Sequence, residues 1–248
     1  MGSTRSGGGP KLRSVMIGHT EPVRAAATSA PRTLRVTTDE RGPLVVLLHG
    51  FAGAPEDLEP FSRSIGVGAR FVFPEGFSDL SAFGLSGRGW WPSDGTARAA
   101  AIESGVPRDL CDFEPEGLDA AHQALSLMLD EWTREAPGAP LVLGGFSQGA
   151  MLAFDVALRS KRALAAVVQL SGARIASRLW NPLLGGRAGT RAFISHGRSD
   201  SDLAFEATER FESDLRAAGW QTDFCAFDGG HGVPIAVLRG LKRFLRGL

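Results

Sequence analysis

The stretch that decides the fold is residues 141–149, which read Leu-Val-Leu-Gly-Gly-Phe-Ser-Gln-Gly. A short apolar run leads into the pentapeptide Gly145-Phe146-Ser147-Gln148-Gly149. This Gly-x-Ser-x-Gly pattern is typical of a nucleophile elbow, in which a serine sits on a sharp turn between a strand and a helix. The glycines have a steric reason, because a β-carbon two residues to either side of the serine would collide with neighbouring backbone in so tight a turn.

The residues around the pentapeptide support this interpretation, which the pentapeptide alone would not in a chain with 32 glycines. Pro140 breaks the chain before a buried-strand pattern at 141–143. After Ser147, apolar side chains recur at helical spacing through a segment free of Gly and Pro: Ala150, Met151, Phe154, Ala157 and Leu158. Strand, tight turn and helix follow in the order that the elbow requires.

Strand and helix patterns alternate along the chain from residue 32 onward. Strands are predicted at 33–38, 44–48, 70–73, 141–143, 164–170, 191–195 and 221–227, and helices at 56–65, 115–136, 150–158, 202–218 and 234–245. The continuous apolar run at 44–48 is typical of a strand covered on both faces. We therefore predict one α/β domain over residues 32–248, with a mostly parallel central sheet and helices on both faces.

Composition excludes several classes of partner. The 248 residues carry 27 basic and 27 acidic side chains, so nothing indicates binding to nucleic acid or to an anionic membrane surface. No apolar stretch approaches the roughly 18 residues of a membrane span. Cys111 and Cys225 have neither metal-type nor redox spacing, so we predict no metal site.

Residues 1–31 differ in composition from the rest of the chain. Residues 2–10 are Gly-rich, like a flexible linker, and Glu21 is the only acidic residue in an Arg- and Ser/Thr-rich tail. We favour a flexible N-terminal extension, and an organelle transit peptide stays open as the alternative. Residues 12–17 are too short for a secretory signal and are interrupted by Arg13 and Ser14, so we expect a cytoplasmic protein.

A catalytic serine needs a base, and the base needs an orienting acid. In α/β-hydrolases the acid and then the histidine follow the serine, in loops at the carboxyl ends of strands. His231 lies between the last predicted strand and the last predicted helix, so we predict that it is the base rather than a surface-loop histidine. The other histidines lie in the tail, within a helix, before the serine, or ahead of the expected acid: His19, His122, His49 and His196.

The acid is predicted in the loop after the strand at 191–195. Asp200 lies in the loop proper, whereas Asp202 is placed to cap the helix that follows. We therefore favour Asp200 and keep Asp202 as the alternative. Asp228 is only three residues from His231, and so close a neighbour can rarely reach the side of the imidazole that faces away from the serine. We therefore do not favour Asp228 as the acid.

The tetrahedral intermediate of such a reaction needs hydrogen-bond donors for its oxyanion. One is expected to be the backbone N–H of Gln148, the residue after the nucleophile. The second is expected from the loop after the strand at 44–48, which reads His49-Gly50-Phe51-Ala52-Gly53, with the Phe51 N–H as the donor.

Residues 74–114 interrupt the alternation and show little periodicity. An insertion of this length is usually a functional or a disordered loop, and the adjacent Trp90 and Trp91 argue against disorder because such large rings must pack on something. We predict a long loop at the substrate site. Trp90 and Trp91 either line the acyl pocket or pack within the loop.

Taken together, these motifs resemble the phospholipase/carboxylesterase group of α/β-hydrolases, which includes acyl-protein thioesterases. The matching segments are residues 47–51, the pentapeptide at 145–149, His196-Gly197-x-x-Asp200, Gly229-Gly230-His231 and residues 71–74. The resemblance spans roughly residues 43–245. It implies an α/β-hydrolase fold and hydrolysis of carboxylic esters or thioesters through an acyl-serine, without a cofactor.

The chain also departs from the family pattern. Ala54 stands where many members carry an acidic residue, and a proline common beyond the acid is absent from 201–205. The Trp90-Trp91 loop occupies the region that shapes the acyl site in the family. These departures concern the choice of substrate rather than the mechanism.

Fold and triad do not fix the acyl acceptor, so a serine peptidase or an acyltransferase on the same scaffold stays open. A non-catalytic binding protein is a weaker alternative, since a binder does not need a complete Ser, Asp and His set. The expected partner is a small ester or thioester, and the expected state is a monomer or a homodimer.

Overall fold

The computed structural model describes residues 1–2, 31–93 and 95–248. Within them the strands are β1 (Thr33–Thr37), β2 (Leu44–Leu48), β3 (Arg70–Pro74), β4 (Ser78–Asp79), β5 (Arg88–Gly89), β6 (Leu141–Phe146), β7 (Ala166–Leu170), β8 (Arg191–Gly197) and β9 (Gln221–Phe227). The α-helices are α1 (Glu59–Ile65), α2 (Thr96–Ser104), α3 (Leu118–Glu135), α4 (Gln148–Arg159), α5 (Ser177–Trp180), α6 (Phe205–Ala217) and α7 (Ile235–Arg246).

Seven of these strands form one twisted sheet in the order β1-β3-β2-β6-β7-β8-β9. Only β1, at one edge, runs antiparallel to its neighbour. The other six strands of this sheet are parallel, so their carboxyl ends share one edge of it. Strands β4 and β5 form a separate antiparallel pair. The predicted α/β class and mostly parallel sheet are confirmed.

The sheet is covered on both faces, as the wholly apolar strand β2 shows. All five residues of β2 are buried, and its alternate side chains point into two different cores. One core holds Val46 and Leu48 together with buried side chains of α3, α4 and α6. The other holds Val45 and Leu47 together with α1 and α7.

The predicted elements differ from the observed ones mainly where periodicity is weak. The helix predicted at 56–65 is a 3-10 turn, Pro55–Asp57, followed by α1. Helix α2 lies inside the predicted loop at 74–114, and sequence reasoning missed it because Ala101 is its only buried residue. The short α5 and the 3-10 helix Asn181–Arg187 were missed as well.

Residues 3–30 lie outside the described residues, so the interpretations of the N-terminal tail stay predictions. In the described part of the chain, no helix combines the length and the apolar character needed to cross a membrane.

Candidate active site

Ser147 occupies the turn between β6 and α4 in a strained conformation, with φ 51° and ψ −120°. The turn brings α4 close to the end of β2. A β-carbon on Gly149 would lie 2.3 Å from the Leu48 carbonyl oxygen, and one on Gly145 would lie 2.6 Å from the same atom. Only glycine fits at either position, which is the physical basis of the pentapeptide.

The loops after β8 and β9 bring two further side chains to this turn. The Nε2 atom of His231 lies 2.9 Å from the Ser147 hydroxyl oxygen, and its Nδ1 atom lies 2.7 Å from Asp200 Oδ2. The imidazole can therefore accept the hydroxyl proton on one side while its Nδ1–H donates to the carboxylate on the other. Ser147 is only 8% exposed, so this contact is largely shielded from bulk water.

The Asp200 carboxylate is buried and accepts four hydrogen bonds. The backbone amides of Asp202 and Leu203 donate to Oδ1 at 2.8 and 3.0 Å. On Oδ2, His231 is joined by His196, whose Nε2 lies 3.2 Å away. Burial on its own would raise the pKa of Asp200, but the hydrogen bonds from His196, His231 and the backbone hold that pKa well below its ordinary value.

His196, set aside as a base in the sequence, thus contacts the same carboxylate oxygen of Asp200 as His231 does. Its ring is fully buried, and Nε2 faces both Asp200 and the carbonyl oxygen of Leu203 at 3.1 Å. Because both of these groups are acceptors, Nε2 carries a proton. Its Nδ1 lies 3.0 Å from the Thr208 hydroxyl. The spacing of four residues to Asp200 was the sequence signal for this contact.

Asp202 neither caps a helix nor contacts His231, which corrects both sequence-based expectations for it. Helix α6 begins at Phe205, with Ala204 at its N-cap and no side-chain cap. The buried Asp202 carboxylate instead binds two arginines, Arg98 and Arg108. Long-range charge pairing explains the difference, since both arginines come from about a hundred residues earlier in the chain.

The two predicted oxyanion donors flank the nucleophile. Gln148 is the first residue of α4, and both Gln148 and Phe51 line the same cavity as Ser147. Neither backbone N–H donates a hydrogen bond to any other described residue, so both are free to bind an oxygen atom of a ligand. The Gln148 side chain is held in place because its Oε1 accepts a hydrogen bond from the Trp90 amide at 2.9 Å.

His49 and Trp90 support the loop that carries Phe51. His49 Nδ1–H donates to the Gly50 carbonyl at 2.7 Å, and Nε2 accepts from the Gly76 amide at 2.9 Å, which fixes the ring tautomer. Burial lowers the pKa of His49 below its ordinary value. Trp90 Nε1–H donates to the His49 carbonyl at 2.7 Å. Sequence reasoning gave neither side chain this supporting position.

A cavity opens beside Ser147 between the elbow and the segment that follows β5. Its apolar lining consists of Phe51, Trp91, Leu110, Phe113 and Met151. Trp90 is not among the described residues that line it. It packs instead against His49 and Phe77, with ring centroids 5.0 and 5.4 Å away. Of the two tryptophans, Trp91 alone lines the cavity, whereas the Trp90 ring is held against His49.

The remaining candidates lie away from the elbow. His122 contacts Asp155 between α3 and α4, and the Asp228 side chain is fully exposed to solvent. His19 lies outside the described residues. No cluster of three potential metal-ligating side chains occurs in the described part of the chain.

Comparison with known proteins identifies the family. Residues 34–248 match the family model of phospholipases and carboxylesterases. The chain belongs to the phospholipase/carboxylesterase family. No curated protein sequence matches it.

Solved structures share the fold of this family member. The crystal structure of esterase PE8 is 23% identical, with a TM-score of 0.71 over 88% of this chain and 99% of that one. Acyl-protein thioesterase 2 from Zea mays is 20% identical, with a TM-score of 0.69 over 88% of this chain and 99% of its own. The carboxylesterase from Bacillus cereus is 19% identical, with a TM-score of 0.65 over 89% and 96% of the two chains.

The predicted α/β-hydrolase fold and the resemblance to this family are therefore confirmed. Family membership makes this protein a serine hydrolase of carboxylic esters or thioesters, with a small molecule as its substrate.

Proposed function

We propose that Ser147 is the nucleophile of this ester hydrolase, His231 its general base and acid, and Asp200 the group that orients His231. The observation that supports this assignment is the continuous hydrogen-bonded chain from the Ser147 hydroxyl through both nitrogens of His231 to the buried carboxylate. Such a chain is what a serine needs to attack a carbonyl at neutral pH.

In the first half of the reaction, Ser147 Oγ attacks the carbonyl carbon of the ester while its proton passes to His231 Nε2. The negative charge that develops on the carbonyl oxygen is stabilised by the backbone N–H groups of Phe51 and Gln148. His231 then returns the proton to the leaving oxygen or sulfur, the bond from carbon to that atom breaks, and the alcohol or thiol departs. Ser147 is left acylated.

In the second half, water takes the place of the alcohol. His231 accepts a proton from the water as its oxygen attacks the acyl carbon, and the same two N–H groups stabilise the second oxyanion. Collapse of this intermediate breaks the bond to Ser147 Oγ, which recovers the proton from His231. The products are a carboxylic acid and the free enzyme, and no cofactor takes part.

Asp200 stays ionised throughout because its hydrogen bonds favour the carboxylate form. It holds His231 in the tautomer that presents a lone pair to Ser147, and it stabilises the imidazolium that forms during each proton transfer. His196 and the two backbone amides in turn fix the carboxylate itself.

The cavity beside Ser147 is the binding site for the substrate in this scheme. Trp91 and its apolar neighbours would contact hydrocarbon parts of the ester. Trp90 has a positioning role instead. Its N–H groups donate to the Gln148 side chain and to the His49 carbonyl, and so it positions the two oxyanion donors without contacting the substrate.

The triad is tested with hydrolysis of p-nitrophenyl butyrate by purified variants. We expect Ser147→Ala and His231→Ala to lower kcat by about 10⁴- to 10⁶-fold. Asp200→Asn should cost about 10⁴-fold, because the amide favours the wrong tautomer of His231. Asp228→Asn is the matched control, since this exposed carboxylate is three residues from His231 but outside the chain of hydrogen bonds. A loss below tenfold for His231→Ala would mean that the base is wrongly assigned.

The same assay separates the alternatives to hydrolysis of esters. A dipeptide p-nitroanilide cleaved faster than the ester would indicate a peptidase. In dilute methanol, the ratio of methyl ester to carboxylic acid among the products can be measured. A ratio far above the molar ratio of methanol to water would indicate an acyltransferase. A folded wild type that turns over none of these compounds would indicate a binding protein.

A further inference from the structure

One wall of the cavity beside Ser147 is charged, although the rest of its lining is apolar. The charged groups among the described lining residues are Arg98, Arg108 and Asp202. The neighbouring wall is formed by Trp91, Leu110 and Met151. A hydrolase for purely hydrocarbon acyl chains has no use for guanidinium groups here, because each must be kept hydrated or paired beside apolar surface.

The geometry of the three charged groups is asymmetric. Asp202 is 2% exposed and receives Arg108 on Oδ1 through both Nε and Nη2. Arg98 reaches Oδ2 through Nε alone, at 2.7 Å. The guanidinium has five N–H donors, and the Nη1 and Nη2 groups of Arg98 donate to no other described residue. Arg98 lines the cavity, and its side chain is 43% exposed, so a ligand in the cavity can approach it.

The charges also do not balance. Two guanidinium groups meet one carboxylate, which leaves a net charge of about +1 at this wall. Arg108 alone is enough to neutralise Asp202, and its backbone is already tied to the same loop by hydrogen bonds to Asp202 and from Ala204. A purely structural role therefore accounts for Arg108 and Asp202, and it leaves unexplained why a second arginine, Arg98, lines the cavity.

Resting on the function proposed above, we infer that the natural substrates are esters or thioesters that carry an anionic group, a carboxylate or a phosphate, which Arg98 binds. Asp202, itself held by Arg108, keeps the Arg98 guanidinium in place. The Nη1 and Nη2 edge of arginine matches the two oxygens of such an anion in a bidentate arrangement. The apolar wall then receives the hydrocarbon between the anion and the scissile carbonyl.

The test compares matched charged and neutral esters. In the acyl arm, mono-p-nitrophenyl glutarate is set against p-nitrophenyl valerate, which has the same acyl length without the carboxylate. In the alcohol arm, the butyrate ester of 3-hydroxybenzoate is set against that of 3-hydroxybenzamide. The wild type is expected to prefer the charged ester in one arm by about ten- to a hundredfold in kcat/KM, and that arm shows which side of the ester carries the anion.

Variants of Arg98 identify the group responsible. Arg98→Gln should lower the charged-to-neutral ratio of kcat/KM in the preferred arm by at least about tenfold, and Arg98→Lys should retain part of it. Arg63→Gln is the matched control, because Arg63 is a highly exposed arginine of α1 that does not line the cavity. Salt should reduce the wild-type ratio, since the side chain is partly exposed.

The outcomes are distinct. A preference for the charged ester that Arg98→Gln removes and Arg63→Gln keeps supports the inference. Turnover of the neutral esters with no preference for either charged one, or a preference that survives Arg98→Gln, overturns the inference and leaves the proposed triad intact. No turnover of any of the four esters overturns the proposed function and this inference with it.

Discussion

The elbow at residues 141–159 and the segment at 75–113 meet at the same cavity. Both contain close backbone contacts, and the segment adds long-range contacts from single side chains. In the elbow, backbone approaches backbone, and the tightest contact is the one that Gly149 makes with the end of β2. The described residues of the segment include an equally close backbone contact, since a β-carbon on Gly87 would lie 2.2 Å from the Ala52 oxygen. In addition, single side chains of the segment reach distant loops. Trp90 reaches the His49 carbonyl, and Arg98 and Arg108 reach Asp202.

This difference separates the chemistry from the choice of substrate. Backbone packing around Ser147 leaves little freedom for change, which suits a reaction centre whose geometry must not vary. The segment at 75–113 lies outside the seven-stranded sheet, and several of its side chains line the cavity, among them Trp91, Arg98 and Leu110. The contacts that distinguish one substrate from another are expected on that segment.

The largest effect is expected in the elbow itself. In Gly149→Ala the new β-carbon would lie 2.3 Å from the Leu48 oxygen and 2.4 Å from the His49 oxygen. Since backbone cannot move aside cheaply, we expect a loss of about 3 kcal/mol or more in the free energy of unfolding, or no soluble protein. Urea denaturation measures this loss. Gly185→Ala is the control, because its β-carbon would meet nothing within 4 Å. Equal stability of the two variants would break the contrast.

The next largest effect is expected from loss of the hydrogen bond between Trp90, in the segment at 75–113, and the His49 carbonyl. Trp90→Phe removes the indole N–H and leaves the buried His49 carbonyl without this donor, at a cost of about 1–3 kcal/mol in stability. We also expect kcat for p-nitrophenyl butyrate to fall about tenfold, because the loop that carries Phe51 loses its support. Trp132→Phe, at a buried position of α3, should lower stability without a comparable fall in kcat. Equal kcat values for both variants would count against a supporting role for Trp90.

A fall in kcat of similar size is expected when the contact between His196 and Asp200 is removed. His196→Leu removes one hydrogen bond from the Asp200 carboxylate, and we expect kcat to fall about tenfold with little change in KM. Burial raises the pKa of Asp200, and the hydrogen bond from His196 lowers it. Loss of this hydrogen bond should therefore raise the pKa of Asp200. The acid limb of the pH–kcat profile should accordingly move to higher pH. An unchanged profile would limit His196 to packing.

The smallest effect concerns His49, at the junction of the two regions. Its pKa is lowered in the folded protein, so below about pH 6.5 the unfolded chain binds a proton that the folded protein does not. Stability from this group is therefore present above that pH and is lost as the pH falls, by at most about 1.4 kcal/mol per pH unit. Urea denaturation between pH 7 and pH 5 should show a shallower decline for His49→Gln than for the wild type. If the free energy of unfolding fell equally with pH in both proteins, His49 would not be the source of the pH dependence.

The sequence predicted what local patterns can encode. The buried run at 44–48 coincides with β2, and the apolar periodicity after Ser147 coincides with α4. The order of Ser147, Asp200 and His231 along the chain was sufficient to select three side chains that the fold brings within hydrogen-bonding distance. A parallel sheet explains this success, because it collects the loops after β6, β8 and β9 at one edge.

What the sequence could not predict depends on contacts between distant positions. The pairing of Asp202 with Arg98 and Arg108 spans about a hundred residues, and nothing local distinguishes it from a helix cap. The different contacts of Trp90 and Trp91 likewise follow from where His49 and the cavity lie. Helix α2 has only one buried residue, so it has no periodicity to read.

The most direct test of the central claim is reaction with a fluorophosphonate, followed by peptide mass spectrometry of the full-length protein. We predict one adduct, on the peptide that contains Ser147, with no labelling of Ser147→Ala and greatly slowed labelling of His231→Ala. Folded wild-type protein that stays unlabelled, or that reacts equally fast without the imidazole of residue 231, would contradict the account.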